Sequence, residues 1–257
     1  MARKQQVCDL ADKVDRDLKL SGFPKAYDYW EASPSTIEGV LGGYGELSPI
    51  DIAGSTKFLA ELKSLRPGLG CERAADCGAG IGRITRDFLL QHFDAVDMVE
   101  QSPKLLEAAP RFLGPLRDCV EYICMGLQDF CPPADTYDVI WVQWVVGHLT
   151  DVDFVKFLRR CRQALRPHGV LVLKDNCCSC DGSADAPDGT DNSCEDSGGN
   201  AGASSAFVLD SDDSSVARSV AYFRSLFKHA DMDVVLQRRE ASIFPEEIFP
   251  VFYFALE

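Results

Sequence analysis

The sequence predicts an α/β protein with a seven-stranded, mostly parallel, doubly wound sheet and a helical extension at its N-terminus. From residue 72 onward, short apolar segments alternate with helical patterns, as they do where crossover helices join parallel strands. The segment 137–144 is almost continuously apolar, which is typical of a strand buried on both faces. A third observation is the glycine-rich turn at 78–82, between a predicted strand and a predicted helix.

The N-terminal extension is predicted to span residues 1–66 and to be mainly helical. Aromatic side chains cluster in a short helical stretch at 27–30, and glycines surround Tyr44 in a tight loop. Residues 50–65 have an amphipathic helical pattern, which a proline and a glycine end. We therefore divide the chain into this extension and a sheet domain at 67–257.

The sheet domain is predicted from its alternating strands and helices. The predicted strands are 74–77, 94–100, 119–127, 137–144, 170–176, 233–239 and 248–256. The predicted helices are 81–92, 103–113, 151–165 and 214–230. Because a short connection joins the last two strands, we expect them to pair antiparallel at one edge of the sheet.

One segment, 177–206, does not fit this alternation. It contains no Val, Leu, Ile, Met, aromatic, Lys or Arg residue. Such a composition buries too little apolar surface to offset the entropy of ordering, so the segment is predicted to be a disordered acidic insertion. A zinc site is the alternative, but no second paired spacing or His supports it, and we predict no metal. The cysteines that suggest it are Cys177, Cys178, Cys180 and Cys194.

The overall composition limits the classes of partner. The formal net charge is −14 at pH 7, which disfavours nucleic acid and anionic membranes and suits a cationic substrate. No apolar run reaches the roughly 18 residues of a transmembrane helix. The N-terminus has no apolar signal segment, and we interpret the 11 cysteines as reduced thiols in the cytosol or nucleus.

The glycine turn within 73–86 carries the first functional signal. Gly78, Gly80 and Gly82 have the spacing GxGxG, which lets the backbone approach a nucleotide-like ligand. A dinucleotide fingerprint would require glycine at the next position, where this chain has Arg83. An arginine suits the carboxylate of S-adenosylmethionine better than it suits a pyrophosphate. The alternative is a glycine-rich turn without a ligand.

Further candidates for the same site follow the later strands. Glu100 ends the second strand, where an acidic residue accepts hydrogen bonds from ribose hydroxyls; a solvated carboxylate is the alternative. Leu127 lies in the loop after the third strand, beside Gln128, and is suited to cover an adenine face. Because carboxyl ends of parallel strands meet at one edge, these residues are expected near the glycine turn.

The fourth and fifth strands also end in polar and aromatic residues. Gln143, Trp144 and His148 fall where the fourth strand leaves the sheet, and Asn176 ends the fifth strand. At this edge His148 is a candidate catalyst, with a structural hydrogen-bonding role as the alternative. For Asn176 the alternative is an ordinary turn residue.

An acidic cluster precedes the last predicted helix. Asp210, Asp212 and Asp213 lie directly before Ser214 and Ser215. One interpretation is that these residues cap the helix. The other is that they form a set of carboxylates, of which one holds a cationic side chain and one accepts a proton. The spacing does not separate the two.

With these residues in view, the chain resembles the protein N-terminal methyltransferases, which methylate the α-amine of proteins that begin Xaa-Pro-Lys/Arg. The resemblance extends from residue 27 to the C-terminus, except for the insertion. GxGxG occurs in many methyltransferases, so the specific signals are LGGYG, GLQDF and the long run that begins YDVIW. The matching motifs are YW at 29–30, LGGYG at 41–45, SPID at 48–51, DCGAGIGRIT at 76–85, GLQDF at 126–130, YDVIWVQWVVGHLTD at 137–151, FLRRC at 157–161, KDN at 174–176 and LDSDDSSV at 209–216.

The resemblance implies a class I, Rossmann-like methyltransferase domain and S-adenosylmethionine as cofactor. The family usually has Asp where this chain has Glu100. The residues implied for the cofactor site are Gly78, Gly80, Gly82, Arg83, Glu100, Gln101, Ser102, Leu127, Gln128 and Gln143. Those implied for the peptide channel are Tyr29, Trp30, Leu41, Gly42, Trp144 and Asn176, with Asp210 and Ser215 as a clamp on the third-residue Lys or Arg. Asp213 and His148 are implied as the groups that deprotonate the amine.

Two other functions compete with protein N-terminal methylation. A small-molecule amine methyltransferase would use the same fold, but the aromatic and glycine-rich segment 27–51 favours an extended peptide channel. A regulatory protein that only binds S-adenosylmethionine is disfavoured by the presence of both Asp213 and His148. We thus expect peptide N-termini as partners, no nucleic acid or membrane, and, from the resemblance, a cytoplasmic and nuclear protein.

Overall fold

The computed structural model describes residues 25–178, 206–210, 212–241, 244–245 and 248–257. Helical residues 25–32 form α1. The other helices are α2 (Ile37–Val40), α3 (Ser48–Leu65), α4 (Arg83–Asp87), α5 (Pro103–Leu113), α6 (Asp151–Ala164) and α7 (Val220–His229). The strands are β1 (Arg73–Cys77), β2 (Ala95–Glu100), β3 (Val120–Cys124), β4 (Tyr137–Gln143), β5 (Leu165–Asn176), β6 (Phe207–Leu209), β7 (Val216–Arg218), β8 (Val234–Arg239) and β9 (Val251–Leu256).

A single seven-stranded sheet organises these elements, in the order β3-β2-β1-β4-β5-β9-β8. The first five strands pair in parallel. The strand β9 lies between β5 and β8 and is antiparallel to both. The predicted fold class and the antiparallel edge are therefore confirmed, and all seven predicted strands belong to this sheet.

Two apolar layers cover the two faces of the sheet. One contains Phe154 and Phe157 of α6 together with Phe223 of α7, packed on the central strands. The other contains Phe58 of α3, which stacks on the ring of Tyr253 at a centroid distance of 4.6 Å. This second layer fixes α3 on the sheet, so that its first turn lies at the carboxyl ends of β4 and β5. Across the described ranges, no helix has the length and apolar character needed to cross a bilayer.

The helix predicted at 214–230 is wrong in its first turn. Val216–Arg218 is instead the strand β7, which pairs antiparallel with β6 in a separate two-stranded hairpin. The helix α7 begins at Val220, and its N-cap is Ser219, whose hydroxyl oxygen accepts from the Tyr222 amide. The acidic cluster therefore lies in the hairpin loop and does not cap the helix.

Other predicted boundaries also differ: the third strand ends at Cys124 rather than residue 127, and the last strand begins at Val251 rather than residue 248. The first crossover helix is short, since α4 ends at Asp87 and a 3₁₀ turn follows at Leu89–Gln91. The fifth strand begins at Leu165 rather than residue 170, because Leu165 already pairs with Tyr137 of β4.

The ends of the insertion are ordered, contrary to the prediction for 177–206. Cys177 is buried, and its amide donates to the Pro250 carbonyl at 2.8 Å. Cys178 is also buried, and its thiol lies 3.8 Å from the carbonyl oxygen of Ala206. The prediction is thus wrong at these three residues, which the hairpin and β9 surround. Residues 179–205, including two of the four cysteines of the zinc alternative, lie outside the described residues.

Candidate active site

The glycine turn connects β1 to α4 through backbone conformations that favour glycine. Gly78 has φ of 78° and Gly80 has φ of 56°. At Gly78 a Cβ atom would lie 2.7 Å from the Cβ of Val145, so only glycine fits between the turn and the segment after β4. The Gly80 amide donates to Glu100 Oε2 at 2.8 Å. The turn is thereby tied to the end of the neighbouring strand β2.

A cavity of 390 Å³ opens beside this turn, at the carboxyl ends of β1, β2 and β4. The helix α1 contributes Tyr27 and Trp30 to its wall. Eight of the ten residues predicted for the cofactor site line it, namely Gly78, Gly80, Arg83, Glu100, Gln101, Leu127, Gln128 and Gln143.

Gly82 and Ser102, the other two predicted cofactor residues, do not line the cavity. A Cβ at Gly82 would lie 3.1 Å from Met98 and 3.3 Å from Leu113, so this glycine lets α4 approach the sheet. Ser102 is the N-cap of α5, and its hydroxyl donates to Glu31 of α1 at 2.6 Å. Gly82 thus allows close packing and Ser102 caps α5, and their contact with the cofactor stays a prediction.

Glu100 is held by backbone amides. Besides Gly80, the Ser102 amide donates to its other carboxyl oxygen at 2.8 Å. Burial raises the pKa of Glu100, and the amides of Ser102, Gly80 and Gln101 oppose that rise. A carboxylate accepts about four hydrogen bonds, so acceptor capacity remains for ribose hydroxyls.

Asp51 of α3 hydrogen-bonds to two residues of the cavity wall but does not line the cavity itself. Its carboxylate accepts from Arg83 Nη1 at 2.6 Å and from Gln143 Nε2 at 2.8 Å. It also pairs with the buried Lys174 of β5. Burial opposes ionisation of Asp51, but the charges of Lys174 and Arg83 keep its pKa below the ordinary value. Asp51 was not predicted from the sequence as part of the site, although it belongs to the SPID motif.

A second acid missed from the sequence, Asp76, also lines the cavity. It lies in β1 directly before the glycine turn and accepts from Thr85 Oγ1 at 2.7 Å. Burial raises its pKa to about 6, against the hydrogen bond from Thr85 and the charge of Arg83. Its position in the same motif as the glycines was the available signal.

A second cavity of 260 Å³ adjoins the first and shares Trp30, Val40, Trp144 and His148 with it. Asp210 does not line this cavity; it is exposed, and its Oδ1 accepts from the Asp212 amide at 2.8 Å. The other predicted substrate and catalytic residues do line it, namely Tyr29, Trp30, Leu41, Gly42, Trp144, Asn176, Ser215, Asp213 and His148.

His148 and Asp213, predicted as a pair, lie close together. His148 Nε2 is 3.9 Å from Asp213 Oδ2 and accepts a hydrogen bond from Trp30 Nε1 at 3.0 Å. Burial lowers the pKa of His148, while Asp213, the Ser214 carbonyl and Asp210 oppose that shift. Because Nε2 accepts from the indole, the imidazole is neutral and its proton lies on Nδ1.

Four buried polar atoms in the wall of the second cavity have no hydrogen-bond partner among the residues that the structure describes. They are Trp144 Nε1, His148 Nδ1, Asp175 Oδ2 and Asn176 Oδ1. Trp144 also has φ of 52°, a conformation that bulky residues rarely adopt outside functional sites. Since native proteins satisfy most buried polar groups, these atoms indicate a ligand site.

The first cavity fits S-adenosylmethionine. Of the guanidinium nitrogens of Arg83, only Nη1 hydrogen-bonds to the described residues, which leaves donors for a carboxylate. Glu100 offers acceptors for the ribose, and Leu127 offers an apolar surface for the adenine. This site at the carboxyl edge of the parallel strands, on a sheet of this order, defines a class I S-adenosylmethionine-dependent methyltransferase.

Comparison with known proteins gives the family. The chain matches the family described as AdoMet dependent proline di-methyltransferase over residues 20–201 and 199–257. It therefore belongs to this family of S-adenosylmethionine-dependent enzymes, as the resemblance predicted. It is 42% identical over 236 residues to N-terminal Xaa-Pro-Lys N-methyltransferase 1 of Homo sapiens, covering 91% of this chain and 94% of that protein. The identity to the 1-A protein of Xenopus laevis is 41% over 239 residues, with the same coverage.

Solved structures agree with this assignment. A SAM-dependent methyltransferase from Leishmania major is 36% identical, with a TM-score of 0.75, over 91% of this chain and 82% of that chain. The DhpI–SAH complex is similar in fold alone, at 19% identity and a TM-score of 0.57 over 91% of this chain and 95% of that chain. The predicted family, fold class, enzyme class and cofactor are thus confirmed.

Proposed function

We propose that this protein methylates the α-amino group of polypeptides that begin Xaa-Pro-Lys or Xaa-Pro-Arg. The observation that carries the proposal is the second cavity, which has aromatic and acidic walls and adjoins the cofactor cavity along Trp30, Trp144 and His148. Relatives at 41% and 42% identity are named for Xaa-Pro-Lys N-termini. An acceptor nitrogen bound in the second cavity would lie beside a methyl donor bound in the first.

The walls of the second cavity suit the first two residues of such a peptide. Trp30, Leu41 and Trp144 offer apolar surface for the proline ring. The unpartnered Trp144 Nε1 is a donor for a peptide carbonyl, and the unpartnered Asn176 Oδ1 is an acceptor for a peptide N–H. A free amino terminus thereby satisfies atoms that the protein leaves without partners.

The hairpin loop gives this cavity a negative potential. The phenol of Tyr29 has a raised pKa, first because it is partly buried and then because of the charges of Asp213, Asp210 and Asp212. A cationic N-terminus followed by a Lys or Arg is attracted by such a field. We assign the third-residue cation to Asp210, with Ser215 beside it, because Asp210 is exposed outside the cavity wall.

Removal of a proton from the substrate is the chemical task of the protein groups. An α-amine has a pKa of about 7.7–8.0, so it arrives largely protonated and without a lone pair. When bound, S-adenosylmethionine supplies an electrophilic methyl group. Asp213 accepts the amine proton, directly or through water, and His148 accepts it when its Nε2 is released from the Trp30 indole. The cavity walls align the nitrogen with that methyl group.

The test is mass spectrometry of an Xaa-Pro-Lys peptide incubated with the protein and S-adenosylmethionine. Methyl groups on the N-terminal residue are expected, and none on the same peptide with an acetylated N-terminus. Methylation of the acetylated peptide would show that the lysine side chain accepts the methyl group, and this result would contradict the proposal. Methylation of free small amines in preference to the peptide would favour a small-molecule enzyme, and binding of the cofactor without turnover would favour a regulatory protein.

A further inference from the structure

Asp175 is a buried carboxyl group that neither the fold nor the roles assigned above account for. It lies near the end of β5, directly before Asn176, and is 8% exposed. Its Oδ1 accepts from the Asn176 amide at 2.8 Å, but its Oδ2 has no hydrogen-bond partner among the described residues. Asp175 lines the second cavity together with His148 and Asp213.

The nearby Arg218 does not pair with the Asp175 carboxyl group, because its guanidinium nitrogens bind other acceptors. Arg218 is fully buried, and its Nε and Nη2 atoms contact Asp151 Oδ1 at 2.9 and 2.8 Å. Its Nη1 donates to the Val146 carbonyl at 3.0 Å, and its Nη2 also donates to the Leu149 carbonyl at 2.8 Å. Among the described residues Asp175 is therefore not half of a buried salt bridge, although it lines the second cavity and its Oδ2 has no partner.

We propose that Asp175 is a further catalytic residue, whose free Oδ2 accepts a proton from the α-ammonium group of the peptide. The proposal rests on the proposed function. In this step an N–H bond of the ammonium group breaks, its electron pair stays on nitrogen as the lone pair, and an O–H bond forms on Oδ2. Asp175 acts beside Asp213, which is partly exposed, and His148, whose Nε2 already accepts from Trp30.

The electrostatic surroundings suit this role. Burial raises the pKa of Asp175 to about 7, with the charge of Asp213 adding to the rise and the Asn176 and Val146 amides and Arg218 opposing it. A proton acceptor is most effective when its pKa is close to that of the donor and to the working pH. The charges of Arg218 on β7 and Asp213 in the hairpin loop act on Asp175, and Asp151 on α6 binds that arginine. The other titratable groups that line the same cavity are His148 after β4 and Tyr29 and Tyr44 in the N-terminal segment.

The test compares Asp175→Asn with the wild-type protein over a pH series on the Xaa-Pro-Lys peptide. We expect kcat to fall at least about 10-fold, with unchanged affinity for S-adenosylmethionine, and the ionisation near pH 7 to disappear from the kcat profile. Asp175→Ser, which also lacks the carboxyl group, is the second variant in case Asp175→Asn does not fold.

Thermal stability separates catalysis from a structural role. A carboxyl group whose pKa is higher in the folded than in the unfolded protein destabilises the fold once pH exceeds its unfolded value, about 3.9. The Tm of Asp175→Asn relative to wild type is therefore expected to rise between about pH 4 and 7 and then to level. The matched control is Asp97→Asn, a buried carboxylate outside both cavities that binds Arg73 and Tyr137; it should lower Tm and leave kcat unchanged.

The outcomes are distinct. An inactive wild-type protein would refute the proposed function. An active wild type with the same kcat and pH profile in Asp175→Asn would overturn the role of Asp175 alone. A lower Tm, as in the control, with an unmoved pH profile would make Asp175 structural and also overturn the proposal.

Discussion

The two adjoining cavities differ in how their polar groups are satisfied. In the cofactor cavity, Arg83 and Gln143 bind Asp51, and Glu100 binds two backbone amides. In the substrate cavity, Asp175 Oδ2 and Asn176 Oδ1 are buried without partners among the described residues, as are Trp144 Nε1 and His148 Nδ1 at the boundary between the two cavities. One cavity is held in shape by its own hydrogen bonds, whereas the other presents groups that a ligand would complete.

Because of this difference, substitutions in the two cavities should affect stability and activity differently. A polar group with internal partners keeps its position without a ligand, but its removal leaves those partners unsatisfied. A buried group without internal partners does not stabilise the fold, and its loss is felt when the ligand binds or reacts. Substitutions in the cofactor cavity should therefore reduce stability and cofactor affinity together, and those in the substrate cavity should reduce activity while the fold stays intact.

The largest effect is expected at the substrate cavity, for Asp213→Asn. Loss of the carboxylate beside His148 should lower kcat/KM by about 100-fold or more, because a positioned proton acceptor contributes on that scale. Affinity for S-adenosylmethionine, measured by calorimetry, should not change, since Asp213 does not line the cofactor cavity. The exposed neighbour Asp212, changed to Asn, is the control, and full activity in Asp213→Asn would remove this residue from the mechanism.

At the cofactor cavity, Asp51→Asn should be the most damaging change. Breaking a buried ion pair by removing one partner costs about 3–5 kcal/mol. Here Arg83 loses its ion-pair partner, and Lys174 keeps only Glu240, at 3.7 Å. We expect a matching fall in the free energy of unfolding in urea and a weaker affinity for S-adenosylmethionine. Ser48→Ala, which removes only a 3.4 Å contact to Arg83, should have little effect on either.

The pH dependence of stability should change with Asp51. Its pKa is lower in the folded protein, so its contribution is present above the unfolded value, about 3.9, and is lost as pH falls through the folded value. Asp51→Asn should lack this acid-dependent component. Wild-type stability and cofactor affinity in the variant would contradict the view that this cavity depends on internal partners.

Trp30 belongs to both cavities, and Trp30→Phe should have an intermediate effect. The indole N–H donates to His148 Nε2 and stabilises the neutral imidazole, because an imidazolium has no lone pair to accept it. Without this hydrogen bond the pKa of His148 should rise. The acidic limb of the plot of kcat/KM against pH should then shift to higher pH by about 0.5–1 unit. Activity should fall a few-fold near pH 7 and recover at higher pH. An unmoved limb would mean that the indole only fills space.

The smallest effect is expected at the rim, for Asp210→Asn. An exposed ion pair contributes about 0.2–1 kcal/mol, so KM for an Xaa-Pro-Lys peptide should rise about two- to five-fold. High salt should erase the difference between variant and wild type, since exposed charges are screened. A peptide with Gln in place of Lys should not distinguish the two proteins; if it does, Asp210 is not the partner of the third residue.

Most of the fold could be predicted from the sequence because its signals are local. Alternating apolar and helical segments gave all seven sheet strands, and the glycine spacing located the cofactor cavity. The hairpin was missed because Val216–Arg218 is too short to have a periodicity, and the serines and aspartates before it are typical of a helix N-terminus. Its buried Arg218 depends on distant partners in α6 and the turn after β4.

The site was predicted where residue type alone indicates chemistry. Asp51 was missed because its role depends on Lys174, 123 positions away, and no pattern links the two. Asp175 was missed because an aspartate at a strand end has no signal that it is buried or unpartnered. Gly82 and Ser102 were assigned to the cofactor because they are close in sequence to other cofactor residues. In the structure Gly82 lies against Met98, and the Ser102 hydroxyl donates to Glu31.

The ordered ends of the insertion have a consequence for engineering. Cys178 and Ala206 are in contact, so the two residues that flank 179–205 lie next to each other. Joining these two positions with a short glycine linker in place of 179–205 should preserve Tm, because the hairpin and β9 already fix both ends. A fluorescent reporter grafted between them would then sit next to the peptide cavity, and its emission could follow substrate entry in real time.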